Sequence, residues 1–296
     1  MQTLTPSKAE WLNAQYNNRA RVANYAEYLE QWASRSQAAR NSIACHLDVP
    51  YLDRATRHAT VPTGLPEPTL DVFPAAHLDA PVLLFIHGGW WRALDKRDNS
   101  FVAPPFVAAG AHVVVPNYSL CPTVGMDTIA LQLAHALAWT HRYFLQRGTK
   151  APRIVVAGHS AGGHLAAMLL CCNGKLLGAD LPQQLAASAL SISGVFDLDP
   201  LRQTPFLKAD LKLTPRLVRR LSPALFPPPR GRLITVYGAL ESEEFARQSR
   251  LIQSRWRRLG VPVCESVAGT NHFTVLNEAV NPRSRLHQLA LDLLMN

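Results

Sequence analysis

Ser160 stands in the stretch Gly-His-Ser-Ala-Gly at residues 158–162, which follows an apolar run at 154–157 and precedes helix-forming residues at 164–172. A Gly-x-Ser-x-Gly sequence between a buried strand and a helix is typical of a nucleophile elbow, a sharp turn that presents the serine at the carboxyl end of a sheet. The two glycines are expected because a Cβ atom would clash in so tight a turn. A serine becomes a nucleophile only when a base takes its proton, so a histidine and an acid must also be found.

His272 is the predicted base for this serine. It follows the last predicted strand, at residues 261–267, and precedes the last predicted helix, at residues 284–295. A loop in this place can bring an imidazole to the sheet edge where Ser160 is expected, within reach of the hydroxyl proton. The other histidines of the sequence lack such a position.

The acid that orients the histidine is expected a few residues beyond the predicted strand at 233–237. Hydrolases with a nucleophile elbow carry their catalytic residues in the order Ser, then Asp or Glu, then His. Glu241 occupies that position and is the predicted acid. Asp197, which also follows a predicted strand, is the alternative. Glu243 and Glu244 are interpreted as the first residues of a helix, where negative charge complements the helix dipole.

A second glycine-containing loop, His-Gly-Gly-Trp-Trp at residues 87–91, directly follows the predicted strand at 82–86. Acyl transfer places negative charge on the carbonyl oxygen, and fixed backbone N–H groups stabilise that charge. In hydrolases with a nucleophile elbow, such a loop supplies donors together with the residue after the serine. Gly88, Gly89 and Ala161 are therefore the predicted oxyanion hole, although a simple glycine turn closing the strand is the alternative interpretation.

Aromatic residues follow several of the same strand ends. Trp90, Trp91, Tyr118 and Phe273 are predicted to enclose an aromatic group of the substrate. The alternative for each of these side chains is a place in the hydrophobic core.

The composition is that of an ordinary globular protein. Hydrophobic residues make up 48% of the 296 residues, and one domain over residues 1–296 is expected. The formal net charge is +9, from 30 Lys and Arg against 21 Asp and Glu. The basic residues form no stripe interleaved with aromatic residues, so nucleic-acid binding is not expected, whereas the positive field favours anionic substrates.

Other classes of chemistry find little support in the sequence. The five cysteines have no CxxC spacing, which indicates reduced core residues. No HExxH motif, cysteine–histidine cluster, phosphate loop or dinucleotide fingerprint occurs, so no metal and no cofactor is predicted. The apolar stretch at 154–174 contains glycines and histidines, which favours a buried strand and helix over a membrane span. No signal peptide is evident, and a cytoplasmic location is expected.

From residue 82 onward, near-continuous apolar strands alternate with helical patterns. The predicted strands lie at 82–86, 112–116, 154–157, 187–193, 233–237 and 261–267, and the predicted helices at 127–145, 243–259 and 284–295. This alternation is typical of an α/β fold with a mostly parallel central sheet and helices on both faces. Ligands of such sheets bind beyond the carboxyl ends of the strands.

Three further segments are predicted outside the alternation. Residues 1–50 are expected to form a helical N-terminal cover, beginning with a capping box at Ser7 and Glu10. Between residues 50 and 80, one or two short edge strands are expected. Residues 197–231 are rich in Leu, Pro and Arg and are predicted to be a short cap insertion above the site.

The motifs together resemble the kynurenine formamidase (arylformamidase) branch of the α/β hydrolases. The resemblance is carried by residues 11–12, residues 15–17, Arg19, residues 87–92, 116–118, 158–164 and 193–198, Glu241, Glu244, Phe245 and residues 271–273. Its more specific part is the His-Gly-Gly-x-Trp loop, which ends in Trp91. The resemblance implies an α/β hydrolase fold and the cofactor-free hydrolysis of N-formylkynurenine to kynurenine and formate in tryptophan breakdown.

The resemblance also implies roles for particular residues. It matches the triad to Ser160, Glu241 and His272 and the oxyanion donors to Gly88, Gly89 and Ala161. The expected partner is a small aromatic amide or ester, and a homodimer is compatible with the sequence. A carboxylesterase for short acyl esters and a catalytically inactive hydrolase fold that acts as a receptor are the alternatives.

Overall fold

The strands of a computed structural model, which describes residues 6–296, form one eight-stranded sheet. They are β1 (His46–Pro50), β2 (Thr69–Phe73), β3 (Val82–Ile86), β4 (His112–Pro116), β5 (Ile154–His159), β6 (Ala186–Ile192), β7 (Arg232–Gly238) and β8 (Val263–Val267). Their order is β1-β2-β4-β3-β5-β6-β7-β8. The pairs β1·β2 and β2·β4 are antiparallel, and the remaining pairs are parallel. The predicted mostly parallel sheet is confirmed.

Helices connect the strands and cover the sheet. They are α1 (Lys8–Tyr16), α2 (Asn18–Arg21), α3 (Tyr25–Ser42), α4 (Arg54–Thr60), α5 (Ala103–Ala108), α6 (Met126–Gln146), α7 (Ala161–Leu170), α8 (Asp199–Arg202), α9 (Pro205–Leu211), α10 (Pro215–Leu221), α11 (Glu243–Gly260), α12 (Val275–Ala279) and α13 (Arg285–Met295). Across residues 6–296, none of these helices has both the length and the apolar character that crossing a bilayer requires.

The core lies on both faces of the sheet because β3 is apolar at every position and its neighbours β4 and β5 are mostly apolar. Val82, Leu84 and Ile86 of β3 pack in a cluster with residues of α6, α7 and α11. Leu83 and Phe85 point the other way and pack with residues of α3, α5, α12 and α13. Alternate residues of a strand point to opposite faces, so a strand buried on both sides must be apolar throughout.

The predicted strands agree closely with the observed ones. The strands expected at 82–86 and 112–116 have the observed bounds of β3 and β4, while β5 extends through His159 to the elbow. The strand expected at 261–267 begins at Val263. The sequence pattern did not predict α5, which begins with two prolines in its first turn. Proline suits that position because the first N–H groups of a helix have no partner within it.

The N-terminal cover is helical only in part. The capping box of Ser7 and Glu10 is present at the start of α1, and residues 1–5 of the predicted cover lie outside the described part of the chain. Residues 46–50 form strand β1 rather than helix, which corrects the expectation for 1–50. This strand pairs with β2 at the sheet edge and is mostly exposed, so its sequence lacks the apolar alternation of a half-buried strand.

The segment predicted as a cap insertion folds into three short helices. α8, α9 and α10 occupy residues 199–221 between β6 and β7. Leu201, Leu207, Leu211 and Val218 of this segment are buried in the same cluster as α6 and α7. The segment is therefore anchored in the core on that side of the sheet by its own apolar side chains.

Candidate active site

The turn between β5 and α7 holds Ser160 in a sharply bent conformation, with φ 57° and ψ −117°. A positive φ is uncommon for a residue with a side chain. The Ser160 N–H donates to the carbonyl of Ile192 at 2.8 Å, which fixes the turn. A Cβ on Gly158 would lie 2.2 Å from the Gly162 oxygen, and one on Gly162 would lie 2.0 Å from the Ile86 oxygen. Only glycine fits at either position.

The hydroxyl of Ser160 lies at one end of a hydrogen-bonded chain of three side chains. Its Oγ is 3.0 Å from His272 Nε2, and His272 Nδ1 is 2.7 Å from Glu241 Oε2. A carboxylate oxygen only accepts, so Nδ1 carries a proton and Nε2 is left to accept from the serine hydroxyl. The three residues follow β5, β7 and β8, parallel strands whose carboxyl ends lie at the same edge of the sheet, with β6 between β5 and β7.

The second oxygen of Glu241 is also occupied. Oε1 accepts from the Ser193 hydroxyl at 2.5 Å and from the Gly238 N–H at 2.6 Å, and the Glu241 side chain is fully buried. These bonds lock the carboxylate toward His272. No role was predicted for Ser193, although it begins the 193–198 stretch of the family resemblance and lies directly after β6.

Asp197, the alternative acid, is held by its own loop. One of its carboxylate oxygens accepts from the Asp199 N–H at 3.1 Å, and its backbone N–H donates to Gln248. The structure thus brings Glu241, and not Asp197, into hydrogen-bond contact with the histidine.

The predicted oxyanion donors lie beside the serine. A Cβ on Gly88 would be 2.9 Å from the His159 oxygen and 3.1 Å from the Ser160 Cβ, so the loop main chain touches the elbow. Gly89 has φ +100°, which a residue with a Cβ rarely adopts. Ala161 is the first residue of α7, where helix N–H groups lack partners within the helix. Among residues 6–296, the three N–H groups donate to no protein acceptor.

Two of the four predicted substrate-binding aromatic residues are core residues instead. Trp91 is fully buried and packs edge-on against His164, with ring centres 5.0 Å apart. Tyr118 is buried and stacks on His87 at 4.3 Å, and its hydroxyl donates to the carbonyls of His87 and Gly88. Neither side chain lines the cavity beside Ser160. Tyr118 holds the glycine loop through its hydroxyl, and Trp91 packs the end of that loop against His164 of α7.

A cavity of about 700 Å³ opens over Ser160 and His272. Trp90 and Phe273, the other two predicted substrate-binding residues, line it. Other parts of its wall were not identified from the sequence: they are Asn17, Asn18, Arg19, Tyr25, Leu29 and Trp32 of the N-terminal segment, and Phe206 and Asp210 of the cap. Two sequence signals concerned the first group: Asn17 and Arg19 are among the residues of the family resemblance, and the N-terminal segment was expected to cover the core rather than to line a cavity.

His159 precedes the nucleophile and holds the backbone of the base. Its Nε2 is 2.8 Å from the carbonyl oxygen of His272, so this nitrogen carries a proton and donates. Burial, with a further contribution from His272, keeps the pKa of His159 well below its usual range. His159 is therefore neutral, and it fixes the loop of His272 without adding a charge beside it.

Metal ligation has no geometric support in the described residues 6–296, where no group of three or more His, Cys, Asp and Glu side chains is arranged to hold an ion. The five cysteines are unpaired. Cys121 is buried, whereas Cys45, Cys171, Cys172 and Cys264 are only half-buried. Cys45, Cys171 and Cys172 pack against the hydrophobic core, so the prediction of core residues agrees with four of the five cysteines and not with Cys264.

Several known proteins that are similar in sequence to this chain are hydrolases. The BD-FAE family model matches residues 70–207. Kynurenine formamidase from Danio rerio is 29% identical over 273 residues, which are 88% of this chain and 86% of that protein. Kynurenine formamidase from Drosophila melanogaster is 29% identical over 67% of this chain and 68% of its own length. Esterase LipQ from Mycobacterium tuberculosis is 29% identical over 55% of this chain and 42% of its own length.

Comparison with solved structures gives the same fold. A proposed thioesterase from Silicibacter sp. TM1040 superposes with a TM-score of 0.79 and 25% identity, over 96% of this chain and 99% of that one. The esterase of Pyrobaculum calidifontis has a TM-score of 0.68 at 17% identity, over 90% of this chain and 91% of its own. At that identity the second likeness concerns the fold alone.

Proposed function

As a member of the kynurenine formamidase family of the α/β hydrolases, the chain is a hydrolase of amide or ester substrates, and we propose that it cleaves the formyl amide of N-formylkynurenine or a related aryl formamide. The observation that carries the proposal is the hydrogen-bonded chain from Glu241 through His272 to Ser160, which ends in a cavity lined by aromatic side chains. The activity belongs to tryptophan breakdown. We further propose that it needs no cofactor and takes place in the cytoplasm, in one domain of residues 1–296.

The first half of the reaction forms a formyl-serine. His272 Nε2 takes the proton of Ser160 as Oγ attacks the formyl carbon, and the carbonyl π electrons move onto oxygen. The N–H groups of Gly88, Gly89 and Ala161 are the donors for this oxyanion. When the tetrahedral intermediate collapses, the C–N bond breaks, and His272 delivers its proton to the departing aryl amine. Glu241 stabilises the imidazolium in between.

The second half releases formate. Water enters the space that the amine has left, His272 takes one of its protons, and the hydroxide oxygen attacks the formyl-serine carbonyl. The C–Oγ bond then breaks, and His272 returns the proton to Ser160. The balance is one water consumed for one amine and one formic acid released, which ionises to formate at neutral pH.

The cavity suits an aromatic leaving group. Its volume of about 700 Å³ lies in the range of pockets that enclose a small organic ligand. Trp90 and Phe273 present ring surfaces to it, and Phe206 of the cap packs edge-on against Trp90 with ring centres 6.1 Å apart. A formyl group leaves most of this volume to the amine side of the substrate.

The test is the turnover of N-formylkynurenine by the purified protein, followed by the appearance of kynurenine. Ser160→Ala is expected to lower kcat by at least about a thousandfold, because the nucleophile is lost. Ser254→Ala, on an exposed turn of α11, is the matched control and should keep wild-type turnover. A fluorophosphonate probe should label Ser160 and leave Ser160→Ala unlabelled.

A carboxylesterase activity is the second candidate, favoured by the similarity to esterases of known sequence and structure. Turnover of p-nitrophenyl acetate and butyrate measures it beside the formamide. If both esters are cleaved and N-formylkynurenine is not, the formamidase proposal is wrong. If none of the three substrates is cleaved and the fluorophosphonate probe labels no residue, the chain is an inactive hydrolase fold.

A further inference from the structure

The charged side chains that line the active-site cavity do not balance. Within residues 6–296, the lining includes Arg19, Arg92 and Asp210. Arg92 and Asp210 form an ion pair across the cavity wall, between the glycine loop and the cap. Arg19 forms no ion pair with any described residue. The wall therefore carries one uncompensated positive charge, and that charge comes from the N-terminal segment.

Contacts with aromatic rings place Arg19 on the side of the base. Its Cζ lies 5.4 Å from the centre of the Tyr25 ring. The Tyr25 ring lies 6.2 Å from the ring of Phe273, which directly follows His272. The guanidinium is thus held against a ring at the mouth of the cavity and keeps its donors free, because an aromatic face attracts a cation without using its N–H groups.

Asn18, the neighbour of Arg19, supplies a second observation. It lines the same cavity and is only 4% exposed, yet its Nδ2 has no hydrogen-bond acceptor in the described chain. A buried donor without a partner is costly, and such groups are often completed by water or a ligand. An unused amide donor beside an unpaired guanidinium is a combination that suits an anion with several acceptor oxygens.

We propose that Arg19 is a specificity-determining residue that binds a carboxylate carried by the amine side of the substrate, with the Asn18 amide donating beside it. This proposal rests on the proposed formamidase function, because N-formylkynurenine carries an α-carboxylate on the part that leaves as the amine. Binding a carboxylate remote from the scissile bond stabilises the substrate and the transition state alike. Loss of this contact should therefore raise KM and leave kcat nearly unchanged.

The experiment compares a carboxylate substrate with a neutral one in the full chain. N-formylkynurenine is compared with ortho-formamidoacetophenone, which has the same aryl formamide without the amino-acid group. Arg19→Met is expected to raise KM for N-formylkynurenine about tenfold, with kcat nearly unchanged, because one charge-assisted bidentate contact is lost. KM for the neutral formamide should change by less than about twofold, and Arg19→Lys should recover part of the loss.

Arg21→Met is the matched control. Arg21 lies in the same short helix and is exposed, but it does not line the cavity that opens over Ser160 and His272. This variant should retain wild-type KM for both substrates. Added salt should raise KM for N-formylkynurenine in the wild type and leave the Arg19→Met value nearly constant, because salt screens an exposed charge.

Three outcomes separate the two proposals. If the wild type cleaves both formamides and Arg19→Met changes both KM values equally or neither, the Arg19 proposal is wrong while the formamidase function holds. If the wild type cleaves neither formamide, the proposed function fails. The same variants are then measured with para-acetoxybenzoate and its methyl ester, and a KM change confined to the carboxylate supports the Arg19 proposal.

Discussion

At the scale of single residues, the site depends on positions where the close approach of main chains excludes other residue types. The Gly158 and Gly162 positions bring main chains to distances that exclude any Cβ, and this packing holds Ser160 at φ 57°. Strained backbone of this kind persists only where the surroundings over-determine it. The carboxylate of Glu241 is fixed in a comparable way, because Ser193 and Gly238 occupy the oxygen that does not face His272.

Glu241→Gln and Asp197→Asn form a matched pair that tests the assignment of the acid. Glu241→Gln should lower kcat for any cleaved substrate by about a thousandfold or more, because an amide facing Nδ1 favours the wrong histidine tautomer. Asp197→Asn should leave kcat within about twofold, since its remaining oxygen can still accept from the Asp199 N–H. Initial rates and the rate of fluorophosphonate labelling measure both. Equal losses in the two variants would contradict the assignment.

At the scale of elements, the N-terminal segment is connected to the catalytic side of the sheet through α11. The Tyr16 hydroxyl donates to Glu244 Oε2 at 2.5 Å and accepts from Gln248 Nε2 at 3.0 Å. Burial and the Glu244 carboxylate raise the pKa of Tyr16, so the hydroxyl keeps its proton. Gln248 in turn accepts from the N–H groups of Phe196 and Asp197. One buried network therefore joins α1, α11 and the start of the cap.

Tyr16→Phe is expected to destabilise the protein by about 1–3 kcal/mol, because Glu244 stays buried with one donor fewer. KM should also rise, since Asn17, Asn18 and Arg19 of the cavity wall directly follow Tyr16. Urea unfolding and steady-state kinetics measure the two effects. Tyr28→Phe is the control, because among the described residues its hydroxyl has a single hydrogen-bond partner, the exposed Asn24 at 3.4 Å. A Tyr16→Phe protein as stable as the control would show that the network contributes little.

The sequence predicted the parallel part of the fold and the positions of Ser160, Glu241 and His272 because each depends on local pattern and chain order. Strands β3 to β7 are mostly apolar and buried, and Ser160, Glu241 and His272 follow β5, β7 and β8. The role of the N-terminal segment could not be predicted in this way. It depends on contacts such as Tyr16 with Glu244, which lie 228 residues apart. The hydrophobic periodicity of the sequence predicts helices and strands but not which distant residues meet. The prediction that Trp91 and Tyr118 contact the substrate was wrong for a related reason, because tertiary packing sets the direction of their side chains.

At the scale of the whole molecule, buried neutral histidines surround the elbow and couple folding to pH. Burial lowers the pKa of His87, keeps that of His159 well below its usual range, and lowers that of His164 to about 4. His164 Nε2 donates to the carbonyl of Leu221 at the end of α10. In the unfolded chain these side chains recover ordinary pKa values near 6.5. The unfolded state therefore binds more protons below that pH.

This linkage predicts that the free energy of unfolding falls as pH is lowered from about 6.5 towards 4. The sign follows because a histidine with a depressed folded pKa favours the folded state above its unfolded pKa, and that advantage is lost as pH falls through the window.

His164→Gln can keep the bond to Leu221 but cannot titrate, so the decline of its free energy of unfolding over this window should be smaller by up to about 3 kcal/mol. Urea unfolding followed by tryptophan fluorescence at several pH values measures the slope for the wild type, His164→Gln and the control His58→Gln, which replaces an exposed histidine. The slope comparison removes any constant cost of the substitution. Parallel curves for the wild type and His164→Gln would mean that His164 gains no proton on unfolding, and its burial could then not be a source of acid sensitivity.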